Sequence, residues 1–225
     1  MVTSDGHYGQ KDTKYDENFA AITSRINEMH AAKAFAFVVV NGDIVHDDPT
    51  HFAAAKAALD KLQPTYYVSQ GNHDHVDAAG WQNIWNMPVN MDVHYGKSTL
   101  LIGTTSNQQG KYLSPDIDWL KAQLEAHKKQ ENVFVFLHIN PVGLSKHAVK
   151  TDGFTALINQ YKNVRAVFNG HDHDEAGVKM MDGIPFIYDA HFGGNWGTDY
   201  RGFRIVELHK DGSLLTYMMN PMERI

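Results

Sequence analysis

Two periodicities run along this chain. Residues 35–41 (FAFVVVN) form an almost unbroken apolar run, the pattern of a strand buried on both faces. Residues 65–70, 99–104, 132–137 and 164–169 have the same character. Between these runs the apolar spacing turns helical. Phe19, Ile22, Ile26 and Met29 fall on one face of a helix over residues 16–34. An Ala-rich stretch predicts a second helix over 50–62, stopped by Pro64. Ser114, Pro115 and Asp116 offer a cap residue and a first-turn proline for a third, with Trp119, Leu120 and Leu124 as its buried stripe. A shorter helix is expected over 155–161. Strands alternating with helices predict an α/β plan.

After Gly170 the pattern changes. Residues 178–181, 184–190, 203–209 and 214–219 read as strands joined by short turns, two of them built on Asp182-Gly183 and Asp211-Gly212. These strands should add antiparallel members to a mixed sheet. No linker, repeat or low-complexity stretch interrupts the chain, so one domain over residues 1–225 is the economical reading.

Composition narrows the possible partners. Lys plus Arg is 20 and Asp plus Glu is 26, giving 20 − 26 = −6, which argues against a nucleic-acid-binding surface. An anionic small molecule stays possible, because bound metal would reverse the local sign. There is no cysteine, hence no disulfide and no thiolate ligand. No apolar run approaches the roughly 18 residues of a membrane span. The 14 histidines are the feature to explain.

Several of them stand in short clusters that each follow a predicted strand. These are Asp5-Gly6-His7, Gly42-Asp43, Gly71-Asn72-His73-Asp74, His138, and Gly170-His171-Asp172-His173. Open α/β sheets place ligands at such strand exits. In three clusters a glycine immediately precedes the polar residues, where it lets backbone turn sharply and approach a site. Singly, each cluster reads as a turn or a structural histidine. All five in order point to a gathered site.

In that order the clusters resemble the motif series of the calcineurin-like metallophosphoesterase family: D-x-H, G-D, G-N-H-[DE], a lone H after a strand, and G-H-x-H. Residues 110–124 (GKYLSPDIDWLKAQL) also look like that family's helix after the central strands. The resemblance implies a layered α/β/β/α sandwich of two mixed sheets, with a dinuclear metal site at the strand C-terminal ends. It implies that Asp5, His7 and His173 hold one metal, that Asn72, His138 and His171 hold the other, and that Asp43 bridges both. Mixed imidazole and carboxylate donors suit Mn, Fe, Zn, Co or Ni rather than Ca. With only Asp5 and Asp43 anionic, two divalent ions would leave a positive surplus to match a phosphate and acidify a water. The implied reaction is hydrolysis of a small-molecule phosphate ester by a metal-bound hydroxide. His73, beside a ligand but not one itself, would stabilise or protonate the leaving oxygen.

One departure bears on the substrate. The family's protein-phosphatase branch has an Asp three residues beyond the bridging Asp, paired to the catalytic His. Here His46 holds that position, followed by Asp47 and Asp48. Asp74 is then a catalytic candidate that could orient His73, or else it caps a turn. His46 becomes a substrate-facing candidate, and this departure, with the chain's resemblance to the family's single-domain bacterial branch, favours a phosphodiesterase or broad phosphoesterase over a phosphomonoesterase or protein phosphatase. His191 and Asn195, in a Gly-rich loop, could form a substrate wall or a surface turn around Trp196. Lys146 and Arg201 could meet a phosphate, while His75, His94, His147 and His209 read as structural or exposed. A rival from another class is a metal-binding or scaffold protein on the same fold, against which the presence of every ligand and of His73 counts. Only residues 1–4 precede Asp5, short for a buried strand. A natural chain beginning upstream is therefore expected, periplasmic or secreted if a signal was removed and cytoplasmic otherwise.

Overall fold

The computed structural model describes residues 1–189 and 191–220. Two mixed sheets face each other. The first contains β1 (Val2–Thr3), β2 (Val38–Asn41), β3 (Tyr66–Ser69), β10 (Phe203–Leu208) and β11 (Leu214–Met219), in the order β11-β10-β1-β2-β3. Strands β1, β2 and β3 are parallel, and β10 runs antiparallel to both of its neighbours. The second contains β4 (Met91–Tyr95), β5 (Ser98–Gly103), β6 (Asn132–Leu137), β7 (Val164–Asn169), β8 (Val178–Met181) and β9 (Ile184–Tyr188), in the order β4-β5-β6-β7-β9-β8. Here β5, β6, β7 and β9 are parallel, with β4 and β8 as antiparallel edges.

The apolar runs are continuous because each strand feeds two cores. Successive side chains leave a strand on opposite faces. Val39 points between the sheets, where it meets Val2, Leu100, Ile102, Phe134, Phe136 and Phe168. Val38 and Val40 point outward, onto the core formed with Phe19, Ile22 and Ile26 of α1 (Tyr15–Ala32), Ala55 and Leu59 of α2 (Phe52–Leu59), and Trp81 and Trp85 of α3 (Ala78–Trp85). In the second sheet Phe134 and Phe136 face inward. Val133, Val135 and Leu137 face outward onto Leu120 and Leu124 of α4 (Ile117–Ala126) and Phe154 and Leu157 of α5 (Phe154–Ile158). Three cores between four layers make the α/β/β/α sandwich that the motif resemblance implied.

The boundaries differ from the sequence expectation where a local bond wins. The 50–62 helix is split: a 3-10 turn over Pro49–His51 is capped by Asp48, which accepts from the Thr50 amide, and α2 follows it. The third helix starts later than Ser114 and Pro115. Asp116 is its cap, accepting from the Trp119 amide at 2.9 Å, while Ser114 Oγ accepts from Thr151 Oγ1 at 2.9 Å. The strand expected over 184–190 is seen to Tyr188, and Ala190 lies outside the described residues. The hydrophobic pattern predicts neither α3 nor β4.

A buried polar layer lies at the strand ends, between the inter-sheet core and the clusters. Ser69 Oγ donates to Asn41 Oδ1 at 2.8 Å, and Asn41 Nδ2 donates to Asp189 Oδ2 at 2.9 Å and to the Phe168 carbonyl of the opposite sheet at 3.3 Å. Asn169 Nδ2 donates to the Leu137 carbonyl and accepts from Asn140 through its Oδ1. Arg204, on β10 of the first sheet, is buried and reaches into the second. Its guanidinium donates to the Tyr188 carbonyl at 2.9 Å and the Ala176 carbonyl at 2.6 Å, and to Thr216 Oγ1 at 2.9 Å. Truncating this clip leaves buried carbonyls without donors. Arg204→Met should therefore lower unfolding stability by about 3 kcal/mol, measured by urea denaturation; a change below about 0.5 kcal/mol would mean the clip is not structural.

Candidate metal centre

All five clusters lie at the C-terminal ends of parallel strands. Asp5 and His7 follow β1, Asp43 follows β2, Asn72 and His73 follow β3, His138 follows β6, and His171 and His173 follow β7. The sheets converge here, so residues far apart in sequence share one buried pocket. Four of the clustered residues leave their strands in the left-handed region: Asp5 (φ 56°), His7 (48°), Asp43 (51°) and His171 (67°). Such backbone is costly for a side-chain-bearing residue and persists where the surroundings over-determine it. Two neighbouring glycines have steric reasons. A Cβ on Gly42 would lie 2.4 Å from His138 Nδ1, and one on Gly71 would lie 2.2 Å from Asp43 Oδ1.

Two fully buried donor groups result, Asp5 with His7 and His173, and Asp43 with His138 and His171, and a third set, His7 with His46 and His73, overlaps the first through His7. In the first, His7 Nε2 and His173 Nε2 are 3.1 Å apart and stand 3.8 and 3.3 Å from Asp5 Oδ1. Those separations match neighbouring donors around one first-row ion, which at bonds near 2.1 Å lie about 3 to 3.5 Å apart. In the second, His138 Nε2 is 3.1 Å from Asp43 Oδ2. That same Oδ2 lies 3.9 Å from His7 Nε2, and Asp5 Oδ1 lies 3.8 Å from His138 Nε2, so the two groups meet at both carboxylates.

The atoms that would face metal are the ones left over. Asp5 Oδ1, Asn72 Oδ1, His138 Nε2 and His171 Nε2 are buried and have no hydrogen-bond partner. Buried polar groups are normally paired, so orphaned atoms on Asp5, His138 and His171, members of the two donor groups, fit ion ligation, and Asn72 at the β3 exit carries another. Their other atoms are held. Asp5 Oδ2 accepts from the His171 amide at 2.9 Å, and Asp43 Oδ1 accepts from the His73 amide at 2.8 Å. His138 Nδ1 faces the Asn41 carbonyl at 2.7 Å and His173 Nδ1 faces the Trp196 carbonyl at 3.2 Å. A proton on Nδ1 of each ring leaves Nε2 free to ligate.

Electrostatics agree with this geometry. Burial pushes Asp5 and Asp43 upward, but the surrounding histidines outweigh it and hold both carboxyls well below the usual range. Burial pulls His138 down, yet Asp43 and Asp5 lift it to about 10. Burial dominates at His7 and His171, and each falls to about 4. The paired carboxylates thus draw positive charge into the pocket, while His7 and His171 stay neutral, the form in which an imidazole can bind metal.

Other candidates are placed differently from expectation. Asp74 does not turn toward His73. It is fully buried, with Oδ1 accepting from the Ile44 and Val45 amides and Oδ2 from the Gly71 amide. Those bonds fasten the β2 exit loop to the β3 exit loop, so Asp74 shapes the pocket from behind. The partner of His73 is Asp47, whose Oδ1 stands 2.6 Å from His73 Nδ1. It lies four residues beyond Asp43, so spacing alone had hidden it. Burial pulls His73 down, but Asp43 and Asp47 raise it above its ordinary value. His46 stacks on His73 with ring centres 4.8 Å apart, and its Nδ1 lies 3.1 Å from His7 Nδ1.

His191 is no substrate wall. It is buried, with Nδ1 2.5 Å from the Gly193 carbonyl and Nε2 2.9 Å from the Thr198 carbonyl. Its ring stacks on one side of His173 at 4.3 Å, and Trp196 stacks parallel to His173 at the same distance. Asn195 is exposed and accepts from Gln10 Nε2 at 3.0 Å. Arg201 donates to the Gly194 carbonyl at 2.7 Å, bracing the same loop. Trp196 is the residue sequence reasoning undervalued: 38% exposed, it lies 4.7 Å from the His7 ring and 6.0 Å from the His73 ring.

This fold and this donor set define a metal-dependent phosphoesterase. The model of the calcineurin-like phosphoesterase family matches residues 1–175, and the chain belongs to that family. It is therefore a phosphoric ester hydrolase. A "Probable cyclic nucleotide phosphodiesterase" of Psychrobacter arcticus is 23% identical over 210 residues, covering 80% of this chain and 75% of the relative. A "3',5'-cyclic-nucleotide phosphodiesterase" of Nostoc is 24% identical over 230 residues, covering 89% and 81%. Among solved structures, a dimetal phosphatase from Danio rerio superposes with a TM-score of 0.72 at 15% identity, covering 99% of this chain and 96% of the other. The GAP50 anchor of the Plasmodium inner membrane complex gives 0.71 at 13% identity, covering 99% and 84%. At such identities these two likenesses speak to the fold alone. No helix among the described residues is long and apolar enough to cross a membrane.

Asp43 touches both donor groups, so its loss should be felt by both. Asp43→Asn should shed at least one metal equivalent by elemental analysis and lower phosphodiester hydrolysis by at least about a hundredfold, with an unchanged far-ultraviolet spectrum.

Proposed function

We propose that the chain is a dinuclear phosphodiesterase acting on small diesters that carry a planar aryl or nucleoside group. The observation that carries the dinuclear reading is Asp43 Oδ2, set between the imidazoles of the two donor groups. In this reading Asp5, His7 and His173 would hold one ion, Asn72, His138 and His171 would hold the other, and Asp43 would serve both. Ions held by these residues would supply Lewis-acid charge and would acidify a water.

The protein's own part centres on His73. Asp47 holds a proton on its Nδ1 and fixes the ring, which leaves Nε2 to serve the departing oxygen. Asp43 and Asp47 favour the imidazolium, the form able to give a proton. Asp74 holds the loops that present Asp43 and His73, and His191 with Trp196 holds the His173 ring. A plain metal-binding protein would have no use for the His73–Asp47 pair.

The substrate reading rests on Trp196 and on the two curated relatives, both named for cyclic nucleotides. An exposed indole beside the metal ligands offers a face to a planar group. Phosphomonoester hydrolysis is the second reading. It is favoured by Asp47, which gives His73 the carboxylate partner that the His46 position appeared to deny it.

His73→Ala should retain both metals and lose roughly 10² to 10⁴ in kcat on alkyl diesters. On nitrophenyl diesters, whose leaving group needs no proton, the loss should be far smaller. Equal losses on both would assign His73 to phosphoryl charge instead. The proton-bearing form of His73 disappears as pH rises, so kcat on alkyl diesters should fall on the alkaline side. Asp47→Asn removes one of the two carboxylates that raise His73, and should move that alkaline limb to lower pH. A substrate panel should favour cyclic nucleotides and aryl diesters over phosphoserine or phosphothreonine peptides in kcat/KM, and the opposite ranking would select the phosphatase reading.

A further inference from the structure

A second cluster of metal-binding side chains lies well away from the strand exits. Strand β4 is the outer edge of the six-stranded sheet, and its alternation puts Asp92 and His94 on one face. They pair in register with Leu101 and Thr99 of β5, on the side that α4 covers. Helix α4 ends there, and its cap residue is His127. Asp92 Oδ2 is 3.0 Å from His127 Nε2 and 3.2 Å from His94 Nε2.

Three features distinguish this trio from a chance pair of surface contacts. Both imidazoles aim the same nitrogen, Nε2, at one carboxylate oxygen, and all three donor atoms lie within 4.8 Å of one another. The two measured separations match the roughly 3.3 Å between donors on a tetrahedral ion with bonds near 2.0 Å. His94 Nδ1 is engaged by Thr99 Oγ1 at 3.3 Å, as the outer nitrogen of a ligating imidazole commonly is. The C-terminal end of α4 also carries partial negative charge, which favours a cation beside His127. An exposed His–Asp–His ion pair without metal would gain little.

We infer that Asp92, His94 and His127 form a transition-metal site separate from the dinuclear centre, taking a borderline divalent ion such as Zn2+, Ni2+ or Cu2+. Two imidazoles and a carboxylate make the donor set suited to those ions, with a fourth position left to water. A bound ion would tie the edge strand β4 to the end of α4, which the described hydrogen bonds join through Asp92 and His127. None of the three side chains belongs to the catalytic machinery.

Equilibrium dialysis against micromolar Zn2+, read by elemental analysis, tests the site. Wild type should bind one equivalent more than either His94→Ala or His127→Ala, while both variants keep wild-type phosphodiester hydrolysis. His209→Ala, an exposed histidine elsewhere, should bind as wild type does. In Asp43→Asn, where the dinuclear centre is weakened, the additional equivalent should remain and should disappear on adding His94→Ala. Co2+ in that background should give the visible absorption of a four-coordinate ion. Equal zinc content in wild type and both histidine variants would overturn the site, as would an additional equivalent lost equally in His209→Ala.

Discussion

Two carboxylates buried side by side are the constraint on which the rest of this structure turns. Asp5 and Asp43 are almost fully shielded from water, where unpaired charge is expensive. The fold answers by surrounding them with imidazoles and by fixing one oxygen of each to a backbone amide from another cluster. Asp5 is held by His171 and Asp43 by His73. The remaining oxygens face a common pocket. Proton charge on His138 is one way to satisfy them, and cations bound among the orphaned donor atoms are the way the family's chemistry uses.

That arrangement needs both sheets. Asp5, Asp43 and Asn72 leave the first, while His138, His171 and His173 leave the second, so neither sheet alone can build the pocket. The polar layer of Ser69, Asn41, Asn140, Asn169 and Asp189 lies directly beneath and couples them. Asn41 shows the economy of this layer. Its side chain crosses to the second sheet, and its carbonyl orients His138. The residue that links the two sheets thus also orients the His138 ring. The left-handed residues at the strand exits are held in place by this scaffold, which fixes the directions of Asp5, His7, Asp43 and His171.

Much of this was legible in the chain. The five clusters could be read because strand exits recur at fixed places in an α/β plan, and the unbroken apolar runs marked the strands that feed two cores. What escaped was direction. Asp74 follows His73 in sequence, yet its side chain turns the other way to bind three amides, and the less conspicuous Asp47 meets the ring. Adjacency along a loop does not determine where a side chain points. His191 looked like a substrate-facing residue because its loop is rich in glycine. Those glycines instead let the loop fold against His173 and bury it. Strand β4 was passed over although Met91, Asp92, Val93 and His94 alternate, because a single edge strand offers one short apolar face rather than a run. Helix α3 was missed for a related reason: Trp81 and Trp85 are one turn apart and buried, but few other apolar residues mark the stripe.

The central claim is that two ions share Asp43, each with its own set of imidazoles. Anomalous diffraction from crystals of the manganese- or zinc-loaded protein tests it directly. Two peaks are expected in the pocket, one bounded by Asp5, His7 and His173, the other by Asn72, His138 and His171, with Asp43 Oδ2 in contact with both. A single peak, or two peaks with Asp43 bound to only one, would contradict it.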